Sequence, residues 1–209
     1  PVALEIGVIE KAREFGQHGF SGAVMNPVAL AELIPDYKER GCPLSRTVET
    51  AEIVARPHGH ALIRRDGLRE ISHGRWEGLT RDEVEARFPG EYQAWEADPF
   101  TFAPEGGESG LAVLARALPV IREIVLAHEG KNVLVVSHKA TLRIVLSSLL
   151  GFDARGYRDR LEQSPACLNV VDFKDPVRAR LMLFNDVSHY QDQPRRPRGN
   201  LSKWWDEGR

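Results

Sequence analysis

The stretch Val133-Leu134-Val135-Val136-Ser137-His138-Lys139-Ala140-Thr141-Leu142-Arg143 decides the expected fold. An unbroken apolar run of strand length ends in Ser-His, and a helix-forming segment follows at once. Strands buried on both faces read as continuous Val and Leu, so the run points to the centre of a parallel sheet. A histidine at the carboxyl end of such a strand stands where open α/β sheets bind ligands. The N-terminus of the next helix offers unpaired N–H groups and partial positive charge, which suit a phosphate. This segment alone implies an α/β enzyme that handles an anionic substrate.

Outward from this run, the pattern alternates between helix and strand. Ser109 to His128 reads as the longest helix, with Leu111, Leu114, Leu118, Ile121 and Val125 stepping along one face. Pro119 is expected to interrupt and kink it. The helix after His138 should end at Leu150, with Gly151 as its C-cap. Cys167–Phe173 and Arg180–Phe184 alternate like strands around a Lys174-Asp175-Pro176 turn. Thr80-Arg81-Asp82-Glu83 is a capping box opening a helix to Phe88, and Pro89-Gly90 is expected to stop it. Ala61-Leu62-Ile63 reads as a short strand, and Ser45–Ala55 as a helix with Val48, Ala51, Ile53 and Val54 facing a core. Nearer the start, residues 2–8 are a candidate strand, and Asn26-Pro27 opens a helix that Gly41 ends. The fold class that follows is α/β, a three-layer α/β/α sandwich with a mostly parallel central sheet.

Bulk composition narrows the function. A chain of 209 residues suits one domain, here residues 1–209, with 191–209 as a basic C-terminal tail. Hydrophobic residues make up 42% and charged residues 28%, and the net charge of −2 gives no support for nucleic-acid binding. No apolar run approaches the ~20 residues needed to cross a bilayer, so no membrane partner is expected. There is no signal-peptide pattern at the start. Cys42 and Cys167 suit a reducing compartment and form no metal motif, so the expected location is cytoplasmic. His58 and His60 lack further ligands at zinc spacing, and neither a metal nor a cofactor is expected.

Four further segments carry polar chemistry. They are Pro43-Leu44-Ser45-Arg46 before a helix, Leu68-Arg69-Glu70 leading into Gly74-Arg75-Trp76-Glu77-Gly78-Leu79, Pro104-Glu105-Gly106-Gly107-Glu108-Ser109, and Asn185-Asp186-Val187-Ser188-His189. With the opening run, and in this order, they resemble the histidine phosphatase superfamily, the phosphoglycerate mutase-like enzymes, over about residues 43–190. The resemblance implies that His138 holds the transferring phosphoryl group, that Arg46 clamps the phosphate, and that Glu70 protonates the leaving oxygen. It also implies a histidine nucleophile, a phosphohistidine intermediate and a phosphoglycerate mutase-like fold. These residue types suit phosphoryl transfer, which consists mostly of positioning and charge stabilisation. Negative charge beside a carboxylic acid raises its proton affinity, so the acid can donate near neutral pH.

The family's nucleophile sits in an Arg-His-Gly triplet at the end of the first strand, and that triplet occurs nowhere in this chain. The nearest match is Gln17-His18-Gly19, so His18 is the candidate nucleophile, with a solvated loop histidine as its other reading. Residues 1–42 form a divergent N-terminal segment. Single residues keep ordinary readings beside these. Glu70 could pair with Arg64, Arg65 or Arg69, Arg46 could be a surface arginine, and His73 could line the pocket or be exposed. Glu108 and Ser109 are further pocket candidates, and Trp76 is expected in the core. The expected activity is a phosphatase acting on a small phosphorylated metabolite, as monomer or homodimer. A phosphate-binding or scaffold protein is the first alternative and a phosphoglycerate mutase the second. The short Trp95-Glu96-Ala97-Asp98-Pro99-Phe100 segment favours phosphatase over mutase, because a mutase must keep its phosphoenzyme dry under long loops.

Overall fold

A computed structural model describes residues 2–4 and 46–189 of the chain. In chain order the elements are β1 (Val2–Leu4), α1 (Arg46–Ala55), α2 (Arg81–Arg87), α3 (Pro89–Ala97), α4 (Gly110–Ala127), α5 (Lys139–Leu150), α6 (Tyr157–Arg160), β2 (Leu168–Phe173) and β3 (Ala179–Asp186). The expected strand at residues 2–8 is seen over its first part, and the helix expected after Asn26-Pro27 lies outside the described residues.

Helix ends follow the local chemistry. The Thr80 hydroxyl accepts from the Glu83 amide at 3.3 Å while the Glu83 carboxylate accepts from the Thr80 amide at 2.8 Å, closing the expected capping box on α2. Thr80→Ala is expected to lower stability by about 1 kcal/mol, read as a reduced urea midpoint; an unchanged midpoint contradicts the cap's role. Pro89 does more than end α2. It stands in the first turn of α3, where its fixed φ is preorganised for a helix and its missing N–H has no partner to lose. Gly151 closes α5 at φ 72°, and Ser109 caps α4 by accepting from Ala112 N at 3.2 Å.

The sheet among the described residues is small. Its strands run in the order β1-β2-β3, each pair antiparallel. Val133–Val136 joins no ladder among the described residues, and neither does Ala61–Ile63. Val135 is buried, but Leu134 is 45% exposed and Ile63 70% exposed, so neither stretch is covered on both faces there. The carbonyls of Leu68 and Arg69 accept from the hydroxyls of Ser137 and Thr141.

Helix α5 is the central element. Every residue from Thr141 to Ser147 is buried, including Thr141, Arg143 and Ser147, as befits a helix covered on all sides. It packs on α4, α6 and β3. Ala117, Ile121 and Val125 of α4 meet Leu142, Val145 and Leu146 of α5 and Val171 and Phe173 of β2 in the main core. Apart from Ala117, each such side chain contributes roughly 1.5–3 kcal/mol of burial. Helix α4 continues through Pro119 without a break. It buries Val113, Ala117 and Ile121, while Leu111 is 51% exposed. Apolar residues nearly encircle this helix, so spacing allowed two neighbouring stripes, and the smaller residues face α5. A second cluster holds Trp76, Val84, Tyr92 and Trp95, with Trp76 in the core as expected.

Candidate active site

The site grows from the amino end of α5. The first turn of any helix leaves backbone N–H groups without intrahelical partners. Here the carboxylate of Glu70 takes them. Its Oε2 accepts from Ala140 N and its Oε1 from Thr141 N, each at 3.2 Å, with Thr141 Oγ1 also 3.2 Å from Oε1; Ile71 N adds a bond to Oε1 at 2.9 Å. A negative group at a helix N-terminus is stabilised by the aligned peptide dipoles. Among the described residues, the Glu70 carboxylate thus meets the start of α5 and Ile71 N, and not Arg64, Arg65 or Arg69.

His138 is the N-cap of α5, extended at φ −130° and ψ 159°, and its side chain makes no capping bond. The ring is turned instead toward α1, where Thr47 Oγ1 lies 3.3 Å from Nε2 and 3.4 Å from Nδ1. Thr47 follows Arg46, the first residue of α1, whose side chain lies outside the described residues. Three segments far apart in sequence thus meet: the start of α1, the Glu70 loop and the start of α5. His18 lies outside the described residues.

Side chains hold the Glu70 loop where a ladder would otherwise do so. Ser137 Oγ donates to Leu68 O at 2.7 Å, and Thr141 Oγ1 donates to Arg69 O at 2.7 Å. Arg116 of α4 donates to Gly67 O, Arg69 O and Glu70 O at 2.8, 2.9 and 3.1 Å. Its other face grips both oxygens of Glu108, at 2.8 and 2.9 Å. Partial burial pushes the Glu108 carboxyl up, but hydrogen bonds from Arg116 and Ser72 N and the charge of Arg69 outweigh it and hold it below the usual range. Both proposed pocket residues of this segment are therefore used within the fold, Glu108 by arginines and Ser109 as a helix cap. At the loop's far end, Gly74 has φ 53°, and a Cβ there would collide with Glu105 O and Gly107 N. That glycine lets the 70–77 and 104–108 segments lie backbone to backbone, joined by Arg75 N to Glu105 O at 3.0 Å and Glu108 N to Ser72 O at 2.8 Å.

His73 is buried, which removes its exposed reading. Its ring stands edge-on to Trp95, with centroids 6.2 Å apart, and its amide donates to Glu77 Oε1 at 2.7 Å. Burial lowers the imidazole pKa from 6.5 to about 4, against the upward pull of the Glu70 charge. The folded protein thus keeps His73 neutral where the unfolded chain takes up a proton. Stability from this group is complete above pH 6.5 and is lost as pH falls toward 4, by about 3 kcal/mol in all. Urea unfolding from pH 7.5 to 4 is expected to show this slope, and His73→Gln should flatten it. An equal slope in the variant contradicts the assignment.

A family model for the histidine phosphatase superfamily (branch 1) matches residues 30–187. The chain belongs to the histidine phosphatase superfamily. The match takes in Arg46, Glu70, His73, Glu108, Ser109 and His138, and begins past His18. Phosphoserine phosphatase 1 of Hydrogenobacter thermophilus is 34% identical over 111 residues, 53% of this chain and 53% of that protein. Glucosyl-3-phosphoglycerate phosphatase of Mycolicibacterium vanbaalenii is 34% identical over 115 residues, 52% of this chain and 51% of that protein. The chain thus spans about half the length of these curated relatives. Among solved structures, Bacillus stearothermophilus YhfR superposes with a TM-score of 0.69 at 24% identity, covering 90% of this chain and 99% of its own. The native mycobacterial glucosyl-3-phosphoglycerate phosphatase gives 0.65 at 25% identity, with 88% and 99% covered. These likenesses show that the chain has the fold of superfamily members.

Sequence reasoning missed Thr47, Thr141 and Arg116. Thr47 and Thr141 each lie within three residues of a recognised motif residue, on a helix start where a hydroxyl can turn to either side. Arg116 gave one signal, an arginine beside Ala117 of the inward stripe in a helix whose other charged residues, Arg122 and Glu123, come near its end. Among the described residues no group of His, Cys, Asp and Glu could hold a metal ion, and no helix is long and apolar enough to cross a membrane.

Proposed function

We propose that the chain is a phosphatase that hydrolyses a small phosphate monoester through a phosphohistidine. The observation that carries this reading is the convergence of Glu70, His138 and the start of α1 on the first turn of α5. In the proposed reaction an imidazole nitrogen attacks phosphorus, for which His18 is the candidate, and the bond from phosphorus to the ester oxygen breaks. Glu70, as the acid, gives its proton to that oxygen, and the alcohol leaves. Water then attacks the phosphohistidine, Glu70 takes a proton from it, and phosphate and free histidine result. Arg46 and His138 would hold the phosphoryl oxygens throughout, by fixed charge and hydrogen bonding.

The relatives named as phosphoserine and glucosyl-3-phosphoglycerate phosphatases support a small phosphorylated metabolite as substrate. The region expected to be open also supports hydrolysis over mutase chemistry. After α3 the chain is tied down locally: Asp98 accepts from Phe100 N and Thr101 N at 3.0 Å each, and Leu111 N donates to Phe100 O at 2.8 Å. This reading includes one domain over residues 1–209, a sandwich built on a mostly parallel sheet, and a cytoplasmic location. The second reading, a phosphate-ligand binder without turnover, is favoured by one observation, the absence of Arg-His-Gly from the chain.

A panel of phosphate monoesters, including phosphoserine and 3-phosphoglycerate, decides between them by release of inorganic phosphate. Turnover of at least one ester is expected. Saturable phosphate binding with no turnover of any ester would establish the second reading.

A further inference from the structure

We propose that Arg116 is the positioning residue for Glu70, setting the acid against the first turn of α5 without touching substrate. The inference rests on the assignment of Glu70 as the proton donor. The segment 67–70 runs without a ladder among the described residues, so its carbonyls need other donors. Each finds one, and Arg116 supplies those to Gly67, Arg69 and Glu70, with Ser137 serving Leu68. The Arg116 side chain is only 15% exposed, and Glu108, at 16%, holds its guanidinium in a two-pronged ion pair. The loop also rides directly on α4. A Cβ at Gly67 would stand 2.7 Å from Arg116 O and 2.7 Å from Val120 Cγ2, so the loop can approach this closely only with glycine there. A planar fork with several fixed N–H directions can bond these carbonyls and a carboxylate together, and a lysine ammonium cannot reproduce that geometry. Arg116 thus fixes the backbone of Glu70 itself, and the carboxylate reaches Ala140 and Thr141 from that fixed base.

The test uses Arg116→Lys and Arg116→Gln on two probes that differ in their need for an acid. β-Glycerophosphate releases an alkoxide that must be protonated, whereas p-nitrophenyl phosphate releases a stable phenolate. In both variants kcat for β-glycerophosphate is expected to fall ~10-fold or more, with KM and the first-turnover burst of p-nitrophenolate from p-nitrophenyl phosphate changed by less than ~3-fold. Arg116→Gln added to Glu70→Gln should cause no further loss. Equal losses on both probes, additive with Glu70→Gln, would overturn the proposal in favour of a merely structural arginine. Hydrogen exchange gives a readout without turnover. The Ala140 and Thr141 amides should exchange faster in Arg116→Lys while β2–β3 ladder amides stay protected; unchanged exchange at Ala140 and Thr141 overturns the proposal. If both Arg116 variants fail to fold, Glu108→Gln is read the same way, with a smaller effect expected. A wild type that turns over neither probe sinks the phosphatase reading alone, and the exchange result then decides the role of Arg116.

Discussion

Replacing Glu70 with Gln is expected to lower kcat for an alkyl phosphate by about 10²–10⁴-fold, with KM little changed, because the proton donor acts in the transition state. The same variant should keep most of its first-turnover burst of p-nitrophenolate, a leaving group that needs no proton, while later turnovers slow because Glu70 is also the base for water. The fold should survive. A Gln side chain keeps one oxygen where Oε1 now accepts from Ile71 N and Thr141 N, and only the Ala140 amide loses its acceptor. Equal loss of the first-turnover rate on both esters, or none on either, would contradict the acid role.

The second large effect separates activity from stability at His138. His138→Asn is expected to reduce kcat/KM by about 10²–10³-fold, the usual cost of removing one positioned transition-state donor. The imidazole occupies the N-cap of α5 without capping it, being turned toward Thr47. Asparagine is well tolerated at an N-cap, and the Ala140 and Thr141 amides that such a side chain would serve already bond to Glu70, so the cap is neither gained nor lost. The expected result is therefore an inactive protein whose urea midpoint is close to that of wild type. Retained kcat/KM would contradict the phosphate-holding role, and a large fall in midpoint would show that the ring supports the fold instead.

Helix ends were legible because they depend on neighbours in sequence. Thr80 with Glu83, Ser109 and Gly151 each act through groups only a few residues away, and each stands where local chemistry put it. Pro89 was half legible, since one residue can end a helix and begin the next. The run from Val133 to Val136 was legible as an approach to the site and not as a ladder: apolar content does not supply a hydrogen-bonding neighbour, and the nearby Ser137 and Thr141 hydroxyls bond to the 67–70 loop. The site was legible in its anionic chemistry, through Glu70 and His138, but not in its support. Arg116 bonds to residues 46 to 49 positions away, a relation that composition and spacing do not encode. Glu108 looked like a pocket carboxylate for the same reason: its arginine partner is identifiable only once α4 is docked.

The most direct test of the central claim is transfer of label from a ³²P-phosphate monoester to the protein, with rapid quenching. The phosphatase reading predicts a label that is stable in base and labile in acid, carried on a histidine, absent from His18→Asn, and accumulating in Glu70→Gln when the leaving group is p-nitrophenolate. Stoichiometric binding of phosphate, with no covalent label and no turnover in the wild type, would contradict it.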